Sequence, residues 1–455
     1  MTARDPRPVA PPGPPRRSAL RMLAVMTRDR LGMIRDAVDR YGDAVRIPVG
    51  HKSLHVFNHP DHAQHVLADN AGNYRKGIGL VHARRALGDG LLTSEGELWR
   101  MQRKVIQPVF LPRRLAHHAG FIAAEAQRLV HRLRQREGGG AVDVIAEFTG
   151  LTLSVLGWTL LDADLSPFGS VGEQFAAVQD QAMFELATLG MVPAWVPLPR
   201  QLRFRRARRE LQRVVDRLVA ARAGDADGQD DALSRLIVST RAEPDPRVAR
   251  GRLRDELVTL VLAGHETTAS TLGWTLYRVD REPEVRHRLR AEAQAVLGGR
   301  LPCYEDLHQL RYTTMVVKEA MRLHPPVWLL PRIAVAPDVV GGHAVPAGAD
   351  VVILPYTLHR HREFWVDPER FDPERFDPAR ARDRPRYAYI PFGAGPRICV
   401  GSNLGLMEAV FVLAMIAREF RLSTPPGHQV VPEPMLSLRI RGGLPMLVRA
   451  VDGGG

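Results

Sequence analysis

The sequence has very little cysteine and very little lysine. Its two cysteines, Cys303 and Cys399, lie in different contexts, one before an acidic segment and one inside a glycine-rich loop. A disulfide framework needs more cysteines and a secreted setting, so we expect a reducing compartment. Only four of the 63 basic residues are lysines, and all the others are arginines.

The net charge of +13 would suit a nucleic-acid-binding protein. Many of the arginines, however, lie in helical segments among glutamates and aspartates, and no compact basic stripe alternates with aromatic residues. The excess fits a coding preference for arginine better than it fits nucleic-acid binding, so we expect no nucleic-acid partner. A basic surface that docks an acidic protein partner is compatible with both interpretations.

Long apolar runs are also missing. None reaches the ~20 residues needed to span a bilayer, and the proline- and arginine-rich residues 1–18 lack the apolar core of a signal peptide. We therefore expect a soluble, cytoplasmic protein without a membrane anchor. With no internal repeat or dividing linker, we expect a flexible leader over residues 1–18, a single large domain over residues 19–450 and a short tail over residues 451–455.

Hydrophobic periodicity predicts a mainly α fold with a small β-rich region. Two short strands are expected at residues 44–47 and 54–57, and Pro48 should end the first. From there to the middle of the chain, apolar side chains recur at helical spacing in segment after segment. Residues 253–279 have little polar surface, so this helix should run through the core.

The loop around Cys399 is the most informative segment. It reads Phe392-Gly-Ala-Gly-Pro-Arg-Ile-Cys-Val-Gly401. Its glycines leave space for a flat ligand, and Arg397 suits a carboxylate. A helix begins at Gly401, so its dipole would favour a Cys399 thiolate, the kind of anion that can bind haem iron. A lone cysteine is more often buried and inert, but an inert residue needs no loop of this composition.

The complete spacing F-G-x-G-x-R-x-C-x-G resembles the haem-binding signature of the cytochrome P450 family, and the likeness extends over nearly the whole chain. A dinucleotide-binding loop needs a preceding strand and a G-x-G-x-x-G spacing that this segment lacks. The resemblance implies a single-domain, mostly helical fold, a haem b cofactor (iron protoporphyrin IX) and oxygen activation with two electrons. It also implies that Cys399 binds the iron and that Phe392, Gly393 and Gly401 contact the haem.

Small and polar residues interrupt the long apolar helix at Ala263-Gly-His-Glu-Thr-Thr268. Glycine within a helix is unfavourable by ~1 kcal/mol relative to alanine, which indicates a local need for space. Glu266 and Thr267 could open the helix hydrogen-bond ladder and hold water or oxygen, and the simpler alternative is a solvated helix face. The segment resembles the family's oxygen-activation site. This implies that Thr267 hydrogen-bonds the dioxygen, that Glu266 relays protons, and that Ala263 and Gly264 make room over the haem.

Four further residues are assigned by the resemblance to the two haem propionates. Trp99 and Arg103 lie one helical turn apart, Arg332 follows a later helix, and Arg397 belongs to the cysteine loop. Guanidinium groups pair well with carboxylates, so the charges match. Each arginine alone is more often a surface residue in so arginine-rich a chain.

A structural ion network is implied as well. Glu319 and Arg322 stand at i and i+3 on one helix, where opposite charges attract. In the family such a pair is joined by an arginine of a later motif, here Arg375, although the repeated sequence before it makes Arg370 a rival. Buried networks of this kind fix geometry more than they add stability.

The resemblance implies a monooxygenase that inserts one oxygen atom from O2 into a largely apolar small molecule, most often by hydroxylation. Nothing in the chain resembles a flavin or nicotinamide domain, so a separate ferredoxin-type donor and its reductase should supply the electrons, in a secondary-metabolism setting. Trp328 either narrows the substrate pocket or packs in the core. Two alternatives stay open: a haem-thiolate enzyme for aryl or phenol coupling or peroxide-driven oxidation, and a non-catalytic haem-binding sensor. The substrate and the site of attack are not legible.

Overall fold

Helices dominate the molecule. The computed structural model describes residues 8–15, 25, 28–49, 52–77, 79–165, 171–187, 192–193, 195–222, 224–226, 229 and 231–451. The α-helices of these residues, numbered in chain order, are α1 Arg30–Tyr41, α2 Pro60–Gln64, α3 Leu80–Leu87, α4 Gly96–Ile106, α5 Pro112–Arg134, α6 Val144–Leu156, α7 Val171–Ala187, α8 Pro199–Arg222, α9 Ala232–Thr240, α10 Pro246–Arg281, α11 Pro283–Leu297, α12 Arg311–Leu323, α13 Pro355–Leu358, α14 Pro378–Ala381 and α15 Ser402–Glu419.

The strands form four small sheets among the described residues. They are β1 Ala44–Val49, β2 Lys52–Phe57, β3 Tyr74–Lys76, β4 Val142–Asp143, β5 Leu330–Ala334, β6 Asp338–Val340, β7 His343–Val345, β8 Asp350–Ile353, β9 Phe420–Ser423, β10 Pro432–Pro434, β11 Leu438–Ile440 and β12 Pro445–Ala450. The largest sheet has the order β1-β2-β8-β5-β3, in which β2 and β8 are parallel and the other pairs antiparallel. A three-stranded sheet has the order β4-β12-β9. The predicted fold class, mainly α with a small β-rich region, is confirmed.

The central helix is α10. Asp245 caps it, accepting a hydrogen bond from the Arg247 amide at 2.8 Å, and Pro246 occupies its first turn. α10 packs against α6, α12 and α15, and most of its residues from Leu253 to Val279 are buried. The prediction that this segment crosses the core is therefore confirmed, and its middle faces the start of α15, where the Cys399 loop ends.

One helical stretch, Val144–Leu161, is apolar and long enough to cross a membrane by length and composition. Most of it is buried against other helices, and Thr152 within it donates a hydrogen bond to the His265 carbonyl of α10 at 3.0 Å. Burial of this kind is what a core helix shows.

Two local expectations need correction or limits. Pro48 does not end the first strand, because β1 lies at the sheet edge, where a residue without an N–H is tolerated. Within the predicted leader, residues 8–15 are described, and they contact the sheets: Val9 bridges to His343, and the Pro12 carbonyl accepts from the Arg46 amide at 2.7 Å. The rest of the leader and the tail beyond Val451 lie outside the described residues, so those domain boundaries stay predictions.

The predicted ion network lies beneath the cysteine loop. Glu319 and Arg322 are fully buried and 2.7 Å apart, and Arg375 joins them at 3.1 Å from the Glu319 carboxylate. The third member is therefore Arg375. Arg370 contributes only its backbone carbonyl, which accepts hydrogen bonds from the side chains of both arginines.

We expect the Glu319→Ala variant to lose about 3–5 kcal/mol of stability, because two buried guanidinium groups would lose their carboxylate. The measurement is the midpoint of thermal unfolding. The matched control is Glu210→Ala, which removes an exposed partner at the same i, i+3 spacing, from Arg213, and should cost less than about 1 kcal/mol. Equal losses in the two variants would contradict the assignment.

Candidate active site

Two neighbouring cavities meet at the middle of α10. The first, about 310 Å³, is lined by Cys399 and is called the thiol cavity here. The second, about 280 Å³, is lined by Trp328, Met435 and mostly apolar neighbours, and is called the apolar cavity. Ala263 and Thr267 line both. The thiol cavity collects all of the predicted site residues except Glu266, which lines the apolar cavity: Trp99, Arg103, Ala263, Gly264, Thr267, Arg332, Phe392, Gly393, Arg397, Cys399 and Gly401.

The loop before α15 presents the thiol. Gly393 and Gly395 adopt positive φ angles of 73° and 68°, and a side chain at Gly395 would overlap the Leu67 carbonyl. The Cys399 amide then closes the turn by donating to the Phe392 carbonyl at 3.0 Å. The sequence of the loop is therefore matched to one tight backbone path that ends with the sulfur in the cavity.

The accessible surface of the Cys399 side chain faces this enclosed cavity. Burial raises the pKa of the thiol above its usual value, while hydrogen bonding from the Gly401 amide and the positive charge of Arg103 act in the opposite direction. Arg103 is held in place because its guanidinium donates to the Ile398 carbonyl at 2.6 Å. A strong positive charge in the cavity, such as a metal ion, would act in the same direction as Arg103 and favour the thiolate.

Across the cavity, α10 is continuous through residues 263–268. The expected opening of its hydrogen-bond ladder is not seen. Instead, the Thr267 hydroxyl donates to the Ala263 carbonyl at 2.7 Å. Gly264 lines the thiol cavity, but a side chain at this position would also meet Leu156 of α6 at 2.5 Å. The glycine is thus required by helix packing as well as by space over the cavity.

Glu266 is fixed by three side chains, one from α7 and two from the segment around β11. It accepts hydrogen bonds from Ser437 at 2.6 Å and from Gln179 of α7, and it lies 3.4 Å from the Arg439 guanidinium of β11. Burial raises the pKa of Glu266, and this outweighs the opposing effects of Arg439 and Ser437. None of the three partners was predicted from the sequence, because none belongs to a motif.

Cations surround one end of the thiol cavity. Arg397 lies over the Trp99 ring at 4.8 Å and forms an ion pair with Glu95, while its Nη1 atom is buried without a hydrogen-bond partner. Arg332 is also buried, and burial together with Arg397 lowers its pKa to about 10. Such a surplus of buried positive charge calls for anionic partners in the cavity.

Lys76 is a further cation here that sequence reasoning missed. It is buried at the end of β3, lines the thiol cavity and donates to the carbonyls of Leu91 and Ser94, both at 2.8 Å. Burial first, then the charge of Arg397, lowers its pKa to about 7. The rarity of lysine in this chain was the only signal that could have drawn attention to it.

Trp328 lines the apolar cavity and is 4% exposed. Its indole N–H donates to the Met435 carbonyl at 2.8 Å, so the ring presents only an apolar surface. Leu80, Leu92, Met435 and Leu436 also line this cavity. By the family resemblance the loop over residues 184–199 should form another wall, and its residues 188–191 and 194 lie outside the described residues.

The model of the family described as "Cytochrome P450" matches residues 11–445. The chain belongs to the cytochrome P450 family. It is 34% identical over 403 residues to cyclooctatin synthase of Streptomyces melanosporofaciens, with 88% of this chain and 87% of the relative covered. It is 34% identical over 390 residues to cyclooctat-9-en-7-ol 5-monooxygenase of the same organism, covering 85% and 84%. It is 30% identical over 403 residues to pentalenene oxygenase of Streptomyces avermitilis, covering 87% and 88%.

This P450 is therefore an oxidoreductase with a haem cofactor, a monooxygenase that uses O2 and redox partners to hydroxylate an apolar small molecule. The family and the reaction class expected from the Cys399 loop are confirmed. The thiol cavity fits the cofactor: Cys399 and residues of α10 both line it, most of its other walls are apolar, and an unpartnered guanidinium nitrogen of Arg397 lies at its charged end.

Proposed function

We propose that this P450 hydroxylates a cyclic terpene hydrocarbon at a haem b held by Cys399, with electrons from a ferredoxin and its reductase, in the cytoplasm. The observation that carries the proposal is the arrangement of the two cavities. Cys399 and Thr267 both line the first cavity, and Thr267 also lines the second, which is apolar. When bound, the haem supplies the oxygen-activating chemistry, to which the thiolate contributes electron density.

The chain's own residues would hold the cofactor by charge and shape. Arg103, Arg332 and Arg397, with the Trp99 indole, offer hydrogen-bond donors for two carboxylates. Lys76 lies at the same end of the cavity and adds a cation. Phe392, Gly393 and Gly401 line the thiol cavity together with Cys399. The small residues Ala263 and Gly264 leave space where α10 lines the same cavity.

Glu266 and Thr267 would deliver protons to the reacting oxygen. Burial raises the pKa of Glu266, so its carboxyl group can carry a proton closer to neutral pH than an ordinary glutamate. Arg439 is 32% exposed and links this carboxylate toward solvent. Thr267 is the next residue of the helix and lines both cavities, which supports a role in passing a proton from the Glu266 carboxyl group toward the thiol cavity.

The substrate class rests on the polar groups of the apolar cavity. The Trp328 indole N–H already donates to the Met435 carbonyl, and the side chains of Gln179 and Ser437 both donate to Glu266. Lys52 forms an ion pair with Asp350. Recognition would therefore rest on shape and apolar contact. Two of the relatives carry terpenoid names, and a cyclic hydrocarbon skeleton suits such walls.

The test is turnover of a panel of cyclic terpenes by the purified protein with a ferredoxin and its reductase, under isotopically heavy O2. We expect a spin-state shift on binding and a product that gains one hydroxyl group whose oxygen comes from the labelled gas. Hydrocarbons that give neither a shift nor labelled product, alongside turnover of charged or strongly polar compounds, would refute the terpene assignment.

A further inference from the structure

Residues 88–94 form a turn that contributes a wall to both cavities. Leu91 lines the thiol cavity, and Leu92 lines both cavities. The segment is a compact turn, because the amides of Thr93 and Ser94 both donate to the Gly90 carbonyl, at 2.9 and 2.8 Å. A small shift of this turn would change the shape of the space beside Thr267.

Side chains from two elements hold the backbone of Leu91 at both of its polar groups. Glu256 of α10 accepts from the Leu91 amide at 3.1 Å, and Lys76 of β3 donates to the Leu91 carbonyl at 2.8 Å. Neighbouring contacts repeat the pattern, since Asp255 accepts from the Asp89 amide at 2.8 Å. In this turn, side chains therefore supply the hydrogen bonds to backbone groups that a neighbouring strand would supply in a sheet.

Close approach to α10 is built into the turn. A side chain at Gly88, whose φ is 75°, would overlap the carboxylate of Asp255. A side chain at Gly90 would lie 2.1 Å from the Thr259 hydroxyl oxygen. Both glycines let the backbone rest directly on the helix, so the two acids reach the amides of the wall without an intervening layer.

The burial of the Glu256 carboxyl group is energetically unfavourable. It is 2% exposed, its Oε1 atom has no hydrogen-bond partner, and Asp255 is the next residue. Burial first and then Asp255 raise its pKa, to about 7, despite the Leu91 amide and Lys76. A buried acid that lines neither cavity acts on the site only through what it holds, which is Leu91.

We propose that Glu256, with Lys76, is a positioning residue for substrate selection: the pair fixes the backbone of Leu91 and, through it, the place of Leu92, which lines both cavities. The proposal rests on the proposed haem-thiolate function. Glu256 does not touch the substrate. It sets the position of the wall against which one side of the substrate packs, and so the orientation of the substrate beside Thr267.

Two azole probes can test this on the haem-loaded enzyme. Imidazole can bind haem iron without reaching the wall, whereas the phenyl ring of 4-phenylimidazole extends into the cavity. In Glu256→Ala we expect the Kd of 4-phenylimidazole to rise about tenfold, because the Leu91 amide loses its side-chain acceptor and the turn is no longer fixed, with the Kd of imidazole unchanged. Hydrogen exchange at the Leu91 amide should accelerate by a similar factor, and Glu256→Gln, which keeps an acceptor oxygen, should restore most of both.

The matched control is Glu292→Ala. Glu292 also accepts from backbone amides, those of Tyr312 and Thr313 at 2.7 and 2.8 Å, but it lines neither cavity. It should leave both azole affinities unchanged. In a Leu92→Ala background, which removes the side chain shared by the two cavities, Glu256→Ala should add no further change to the ratio of the two Kd values.

Equal shifts for both azoles, or a shift for neither, would overturn the positioning role even if the ferrous–CO spectrum is of the thiolate type. A wild-type protein that lacks this spectrum would instead refute the proposed function, and this inference with it.

Discussion

The Cys399→Ala variant is expected to lose the ferrous–CO absorption typical of thiolate ligation, together with all monooxygenase activity. Cys399 is the single described cysteine in the thiol cavity, and the loop from Phe392 to Gly401 is shaped to present it. If Cys399 is the proposed ligand, removing its sulfur removes the anion that would donate electron density to the iron. The measurements are the CO difference spectrum and product formation with a saturating redox partner.

The control for this experiment is available within the chain. Cys303 is the other cysteine, and its thiol lies 3.3 Å from Asp306, outside both cavities. Cys303→Ala should therefore keep the wild-type spectrum and activity. A thiolate-type spectrum that survives in Cys399→Ala would contradict the assignment, and so would a wild-type spectrum of the histidine type.

The CO difference spectrum and product formation, measured also in variants of Glu266 and Thr267, separate the alternative functions. A non-catalytic haem sensor would give the thiolate spectrum in the wild type but no product with any redox partner. An enzyme for aryl or phenol coupling, or one driven by peroxide, would give product without depending on proton delivery by Glu266 and Thr267. These two residues lie side by side at the junction of the cavities, which favours monooxygenation.

The parts of the site that the sequence predicts are those held in short, continuous segments. The Cys399 loop and residues 263–268 carry their chemistry within about ten residues each, so their spacing alone is informative. The same holds for the helical period of residues 253–279, which correctly predicts a core helix. Such features can be recognised in a single sequence because residues that are close along the chain keep their spacing in the folded protein.

The parts that the sequence does not predict depend on contacts between distant elements. Gln179, Ser437 and Arg439 meet at Glu266 from α7 and from the segment around β11. Nothing in the sequence tells which of the many arginines will approach that carboxylate. The hold of Lys76 on Leu91 is equally invisible, because a buried lysine that donates to backbone carbonyls has no motif.

Thr267→Ala and Glu266→Gln are expected to separate electron use from product formation. The loss of a positioned proton donor lowers the rate of proton transfer by about 10²-fold or more. Product formation should fall by that order, while the reduced nicotinamide that feeds the reductase is still consumed and hydrogen peroxide accumulates. The matched control is Thr275→Ala, which removes a buried hydroxyl that donates to the Thr271 carbonyl at 2.6 Å in the same helix and lines neither cavity. If Thr267→Ala formed as much product per electron as the wild type, this would favour the alternative enzyme for aryl or phenol coupling or peroxide-driven oxidation.

The pH dependence of the thermal midpoint and of turnover in Glu266→Gln provides a second, independent test of proton delivery by Glu266. Burial raises the pKa of Glu266 in the folded protein above its value in the unfolded chain. The stability that this group contributes is therefore present below the unfolded pKa and is lost as the pH rises through the folded pKa. Because glutamine does not ionise, the thermal midpoint of the variant should gain on that of the wild type across this interval and then level off. Wild-type turnover should decline over the same interval as the carboxyl group loses its proton, whereas the residual turnover of the variant should stay flat. If the difference in midpoint were independent of pH, Glu266 would not be the buried, protonated acid that the proposed proton delivery requires.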